Sequence, residues 1–323
     1  MITLAFINFW KDPENDTYFT DFISTNIGQV KVVHYNDNPN ILIASVCGNI
    51  NIIQNSKAQC KLFYYGENLN RYPPYNNEQL LIDTFDLIVG FKDTNIEKKQ
   101  IRFPLWLIYY KFYNYTPEHN LINYIEHKYK ENKSKPKTIF ATLVARHDRE
   151  GQRTKICNEI DSYNNTHTNT TNTNTHTTNT NYKIMYPGLF RHNIGPGNTI
   201  GSTTEDKMNY ISQGIYNICP ENSAFEGYFT EKIIQAFEAG TIPLYWAIDL
   251  PEKGLINENK YCFCNVNNIN NINNPNDLKE QITKAMTHPE YYLEGNIFTK
   301  EAPDLLSNYY NTLITNIKIK LNL

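Results

Sequence analysis

Residues 217–246 read NICPENSAFEGYFTEKIIQAFEAGTIPLYW, and their pattern decides the fold. Asn217-Ile218-Cys219 closes an apolar run, as the end of a strand does, and a polar loop containing Gly227 follows it. Thr230 is a candidate N-cap, Ile233, Ile234 and Phe237 supply the apolar face of a helix, and Gly240 stops it. Ile242-Pro243-Leu244-Tyr245 then reads as a second strand, so the stretch is a strand–helix–strand unit of an α/β layer. Lys232 falls in the first turn of that helix, where a cation opposes the helix dipole. An anion held on the free N–H groups of the helix start would remove the conflict, and a diphosphate is such an anion. The plainer reading of Lys232 is an exposed lysine with no role.

The same alternation extends outward in both directions. On the N-terminal side, short apolar runs at 3–9, 30–35, 41–46, 61–65 and 87–90 read as strands, with a helix over 17–27 and a turn at Asn38-Pro39-Asn40. Residues 107–129 are aromatic, charged and helix-like, and 131–137 (ENKSKPK) read as a linker. Beyond it come a strand at 138–144, a helix from about 149 to 160, a strand at 182–185, a Gly-rich loop over 188–201, a helix at 206–213 and a strand at 215–219. A strand at 262–266 and helices at 277–288 and 302–317 complete the series. Residues 164–181 contain only Asn, Thr and His; with no apolar side chain to bury they are expected to form a disordered surface insertion. The sequence thus predicts two Rossmann-like α/β domains facing across a cleft, 1–130 and 138–300, with a C-terminal helix over 301–323.

Composition narrows the function. With 323 residues and 40% apolar side chains, each half can build a core. A net charge of −3 offers no basic field for nucleic acid, and a small anion in a local basic pocket is the compatible ligand. The six cysteines have no CxxC spacing and are expected to be reduced and mostly buried, with Cys262 and Cys264 on one face of a strand. No apolar run is long enough to span a bilayer, and the first residues read as a strand rather than a signal sequence, so a cytoplasmic protein, at most peripheral to a membrane, is expected. The 24 tyrosines and 16 phenylalanines could stack on sugar rings, although core packing accounts for most of them.

The elements Glu221-Asn222-Ser223, Gly227-Tyr228-Phe229-Thr230-Glu231-Lys232 and Ile242-Pro243-Leu244-Tyr245-Trp246 closely resemble the signature of the α-1,3-fucosyltransferases, glycosyltransferase family 10. The resemblance reaches Tyr64-Tyr65-Gly66-Glu67-Asn68, Phe85 to Phe91, Arg102-Phe103-Pro104-Leu105 and His288-Pro289, and so covers nearly the whole chain apart from the Asn/Thr/His tract and the C-terminal end. Pro220, Phe229 and Ala247 depart from the family pattern; none of them removes a charged group, and what they put in doubt is the choice of acceptor.

The resemblance implies a GT-B arrangement, GDP-fucose as donor, a glycan acceptor such as the GlcNAc of a lactosamine, and a Lewis-type product. It implies Glu67 as the catalytic base, Glu231 at the donor sugar, and Arg153, Asn222, Tyr228, Glu231 and Lys232 as donor-binding residues. Arg146 and Arg149 are rivals to Arg153, and loop packing is the rival role for Tyr228. On the residues alone, Glu67 sits just past an apolar strand, where open α/β sheets carry their sites. The chain contains no Asp-x-Asp pair, so cationic side chains, Arg153 and Lys232, are expected to hold the departing diphosphate with no metal and no further cofactor. Other readings are a different nucleotide-sugar transferase of the same fold and a catalytically silent glycan- or nucleotide-binding protein. Retention of Glu67, Glu231 and Lys232 argues against silence.

Overall fold

The computed structural model describes residues 1–9, 18–117, 119–168, 183–194, 200–201, 203–249, 252, 254–266 and 277–323. The chain divides into two compact units: unit 1 comprises Met1–Leu121, Ala224–Glu231 and Lys300–Leu323, and unit 2 comprises Ile122–Ser223 and Lys232–Thr299.

Unit 1 is built on a six-stranded sheet, β1 (Ile2–Ile7), β2 (Val30–Val32), β3 (Ile41–Ala44), β4 (Cys60–Tyr64), β5 (Leu87–Gly90) and β6 (Gln100–Arg102). The strands lie in the order β2-β1-β3-β4-β5-β6, and every pair is parallel. A parallel sheet is covered on both faces, so its strands are continuous apolar runs; all four residues of β3 and of β5 are buried. Helix α1 (Tyr18–Asn26) buries Tyr18, Phe19, Phe22 and Ile23. The shorter α2 (Ile50–Gln54), α3 (Glu78–Thr84) and α4 (Leu105–Tyr109) follow.

In unit 2, α5 (Leu121–Lys133), whose first residue belongs to unit 1, leads to a five-stranded sheet of β7 (Ile139–Thr142), β8 (Ile184–Met185), β9 (Gly214–Ile218), β10 (Ile242–Tyr245) and β11 (Cys262–Phe263). Its order is β11-β10-β9-β7-β8, again all parallel. Between these strands run α6 (Gln152–Thr168), α7 (Thr204–Ile211) and α8 (Lys232–Glu238), and after β11 come α9 (Leu278–Thr287) and α10 (Glu290–Leu293). Ile156, Cys157 and Ile160 of α6 pack with Ile218, Leu244, Trp246 and Ile282 in one core. Helix α11 (Ala302–Leu321) lies in unit 1, burying Leu306, Tyr310, Leu313 and Ile317; the Tyr310 ring meets Phe103 edge-on at 5.4 Å.

Two Rossmann-like α/β units are therefore present, as the alternation of apolar runs implies, and several boundaries move. The helix expected over 107–129 is two helices, α4 and α5, separated around Pro117, with Lys111 at φ 53° between them. The first residues of the expected 131–137 linker continue α5, and the units part at Leu121/Ile122 instead. Helix α6 continues to Thr168, so the start of the Asn/Thr/His tract is helical and Asn164 is buried; residues 169–181 lie outside the described residues. All six cysteines are free thiols; five are buried and Cys47 is exposed.

Candidate functional site

In chain order, both sheets begin with the arrangement 2-1-3-4-5, so each has one point where the strand order reverses, between its first and third strands. Ligands of open α/β sheets bind outside the carboxyl ends of the strands at that point. In unit 2 the point lies between β7 and β9, and a pocket opens there, walled by Leu143 and Val144 after β7 and by Ile218, Cys219 and Pro220 at the end of β9. Arg153, Lys207 and Lys232 line it, from α6, α7 and α8.

Each of these cations has an oriented partner. The Arg153 guanidinium is 6% exposed as a residue and donates to Asn222 Oδ1 at 2.8 Å and to the His147 carbonyl. Backbone N–H groups of Arg153 and Thr154 donate to the Asp148 carboxylate, which fixes the start of α6. The Lys232 ammonium pairs with Glu221 Oε2 at 3.1 Å; the Glu221 side chain is fully buried and also accepts from the Tyr245 hydroxyl at 3.2 Å. Glu221 is itself tied to the sheet through its N–H, which donates to the Trp246 carbonyl at 2.7 Å. Burial pushes the Tyr245 phenol well above its ordinary range, and the neighbouring Glu221 carboxylate acts the same way, so this hydroxyl stays protonated and donates. Burial also raises the Cys219 thiol well above its usual value, with Glu221 adding to the rise and Lys232 and Lys207 opposing it; the thiol is not a nucleophile at neutral pH.

Of the residues expected from the sequence, the structure brings Arg153, Asn222 and Lys232 together in unit 2. Helix α8 begins at Lys232, later than a cap at Thr230 requires, and Gly240, at φ +67°, ends it as expected. Tyr228 and Glu231 belong to unit 1. The Tyr228 ring is 4% exposed and packs on Phe91 with centroids 4.7 Å apart, so packing accounts for its ring. Glu231 is 8% exposed. Gly227 has φ +65°, and a Cβ there would overlap the Phe91 carbonyl and crowd the Arg102 guanidinium, which explains the glycine of the motif. Arg102 is buried and donates to the carbonyls of Phe91 and Gly227, so the Arg-x-Pro-Leu element braces this loop.

In unit 1 the reversal point lies between β1 and β3, where Asn8 follows β1 in the left-handed region at φ 62°. Its amide donates to the Tyr75 hydroxyl at 3.0 Å, and its carbonyl accepts from Cys47 N–H at 2.8 Å. Half-buried Glu67 follows β4 and lies close enough to the Cys47 thiol to raise its pKa, second to burial. Asn68 is buried, caps the turn Leu69–Arg71 and donates to the Ala224 carbonyl at 3.4 Å. Arg146 and Arg149 are not among the residues lining the unit 2 pocket, whereas Arg153 is.

Sequence reasoning missed three members of this geometry. Glu221 stood in a recognised element, but nothing in its spacing showed that it would pair with Lys232. Lys207 was legible in principle: it sits in the first turn of α7, the same conflict with the helix dipole that singled out Lys232. Gln235 reads as an ordinary helix residue and is 3% exposed. Among the described residues no group of three or more His, Cys, Asp or Glu side chains is placed to hold a metal ion, and no helix is long and apolar enough to cross a membrane.

Residues 4–109 match the family model described as the α-(1,3)-fucosyltransferase FucT N-terminal domain. The chain resembles the α-1,3-fucosyltransferases. A curated relative, α-(1,3)-fucosyltransferase FucT of Helicobacter pylori, is 26% identical over 279 residues, 80% of this chain and 54% of the relative. The chain thus spans about half the length of that relative. A crystal structure of an α1,3-fucosyltransferase aligns over 100% of this chain and 90% of its own with a TM-score of 0.66 at 19% identity. Crystal structures of an α1,3-fucosyltransferase with GDP-fucose and with GDP align over 97% and 99% of this chain, and over 90% and 92% of their own, with TM-scores of 0.59 and 0.61 at 19% identity. These likenesses establish the fold as the GT-B fold of those transferases.

Proposed function

We propose that this protein is an inverting α-1,3-fucosyltransferase that moves L-fucose from GDP-fucose to a glycan hydroxyl, most simply O3 of a GlcNAc in a lactosamine-type acceptor. The observation that carries the reading is the pocket at the reversal point of the unit 2 sheet, which gathers Arg153 and Lys232 from separate helices and orients Arg153 through Asn222. Such a site suits the diphosphate of a nucleotide sugar. The relatives' activities agree with it, two of the aligned structures being complexes with GDP-fucose and GDP.

In this reading the acceptor oxygen attacks the anomeric carbon as Glu67 takes its proton. The bond from that carbon to the β-phosphate oxygen breaks, and GDP leaves carrying the electron pair. Arg153 and Lys232 meet the charge that grows on the leaving diphosphate, and such contacts are strong in a site poor in water. Tyr228 and Glu231 serve the donor side, and the two cations replace a metal ion. The Lewis-type product and the cytoplasmic setting belong to the same proposal.

The test is fucose transfer from GDP-fucose to N-acetyllactosamine and lacto-N-biose, with and without excess EDTA, the product linkage read by NMR. Transfer to O3 of the lactosamine GlcNAc that survives EDTA is the expected result. Absence of both transfer and donor hydrolysis refutes the enzyme reading, and abolition by EDTA with recovery on added metal refutes the metal-free mechanism.

A further inference from the structure

The unit 2 pocket holds a third cation. Lys207, in the first turn of α7, lines the same cavity as Arg153 and Lys232, and its ammonium donates to Gln235 Oε1 at 2.6 Å. Gln235 is 3% exposed in the middle of α8, between Ile234 and Ala236, which are fully buried. A primary amide in such a place is costly unless its hydrogen bonds are used, and one of them is spent on aiming Lys207. That Lys207 and Lys232 act on one volume is also seen at Cys219, whose thiol both of them oppose in its upward shift.

The three cations are held differently. Lys232 meets a carboxylate, whereas the side-chain oxygens 2.8 Å from Arg153 and 2.6 Å from Lys207 belong to neutral amides. The charged residues among the described ones lining the pocket are Arg153, Lys207 and Lys232. An ammonium lining the cavity that Arg153 and Lys232 also line adds to the positive charge a sugar-linked diphosphate meets there. We propose that Lys207 is a diphosphate-binding residue of the donor site and that Gln235 is its positioning residue. The assignment rests on the reading above that this pocket takes a nucleoside-diphosphate sugar, and it concerns the diphosphate, not the base or the sugar.

Calorimetric titration of wild type, Lys207→Met, Lys207→Arg and Gln235→Glu with GDP, inorganic pyrophosphate and guanosine tests it. A charge-assisted hydrogen bond lost from a partly dry site corresponds to about a 10–100-fold weaker complex. Lys207→Met is expected to weaken GDP and pyrophosphate by that factor and guanosine by less than about twofold, with Lys207→Arg recovering most of the loss. Gln235→Glu puts a carboxylate on the ammonium and is expected to weaken GDP and pyrophosphate while guanosine is unchanged. Wild-type GDP and pyrophosphate affinity in Lys207→Met overturns the assignment. So does an equal loss for guanosine accompanied by a lower unliganded Tm, which marks a structural lysine. A wild-type protein that binds no GDP overturns instead the reading of the pocket on which the assignment rests.

Discussion

Replacing Glu221 by glutamine isolates the charge that pairs with Lys232, a residue lining the unit 2 pocket. The carboxylate side chain is fully buried and stands 3.1 Å from the Lys232 ammonium, whose own side chain is 16% exposed. Glutamine keeps the volume and still offers an oxygen to the Tyr245 hydroxyl, 3.2 Å away, so the change is almost purely electrostatic. Breaking a buried ion pair by removing one partner costs about 3–5 kcal/mol, and the residual exposure of Lys232 lowers this to roughly 2–3 kcal/mol. For a unit of this size each kcal/mol moves Tm by about 2–4 °C, so the expected fall is about 4–12 °C without ligand. GDP should return part of that loss, because its diphosphate supplies the missing negative charge. Saturation at a hundredfold excess over Kd adds about 2.7 kcal/mol to any binder, and Glu221→Gln should gain more than wild type at the same GDP concentration. Differential scanning fluorimetry with and without GDP reads both quantities. An unchanged Tm would show that the pair contributes nothing to stability. A GDP-induced shift smaller than that of wild type would show that Lys232 does not face the diphosphate.

Two further outcomes concern other groups. Glu67→Ala should lower turnover about 10²–10⁴-fold and leave the Kd for GDP near that of wild type, as removal of a general base does; turnover within a few-fold of wild type takes Glu67 out of the mechanism. Lys260 and Lys137 should give the protein an alkaline rise in stability: burial, aided by the neighbouring Lys133 and Lys135 respectively, lowers each from the usual 10.5 to about 8. Below pH 8 both states are protonated and the full cost of the buried charge is borne, whereas above 8 the folded state releases protons that the unfolded state keeps up to 10.5, so stability grows. The gain ends near pH 9, where the thiols of Cys60, Cys157, Cys219 and Cys264, all raised from 9.0 by burial, begin to ionise in the unfolded chain alone, and tyrosines such as Tyr216 follow at higher pH. Tm measured from about pH 7.5 to 9 should rise, and rise less in Lys260→Met; equal slopes refute the contribution of Lys260.

How far the sequence could be read depends on the range over which each signal acts. The runs at 87–90 and 242–245 coincide with β5 and β10 because strands of a parallel sheet, covered on both faces, are apolar throughout. Strand β6, Gln100–Arg102, escaped notice: it is three residues long and polar at both ends, and pairing with β5 holds it in the sheet. The break between α4 and α5 was hidden by aromatic residues that fit a helix pattern while packing in a loop, as Phe112 does by accepting hydrogen bonds from Tyr18 and Tyr310 at its carbonyl. Helix α6 runs into the Asn/Thr tract because a helix already nucleated by Ile156 and Ile160 adds residues at little cost, whatever their polarity.

The site divides in the same way. Lys232 could be singled out because its conflict is local: a cation in a first turn. Its resolution is not local, since Glu221 is eleven residues away and is held beside the ammonium by the end of the unit 2 sheet, with Glu221 N–H bonded to Trp246 and its carboxylate to Tyr245. Arg153 and Asn222 are sixty-nine residues apart and meet for the same reason. The strand order places the ends of β7 and β9 side by side, and so brings the segments after these two strands to one pocket. A motif therefore records which charges the chemistry needs, while the partners that hold those charges in place are set by topology. That is why the pairing of Lys207 with Gln235, made between two helices, becomes visible only in the folded chain.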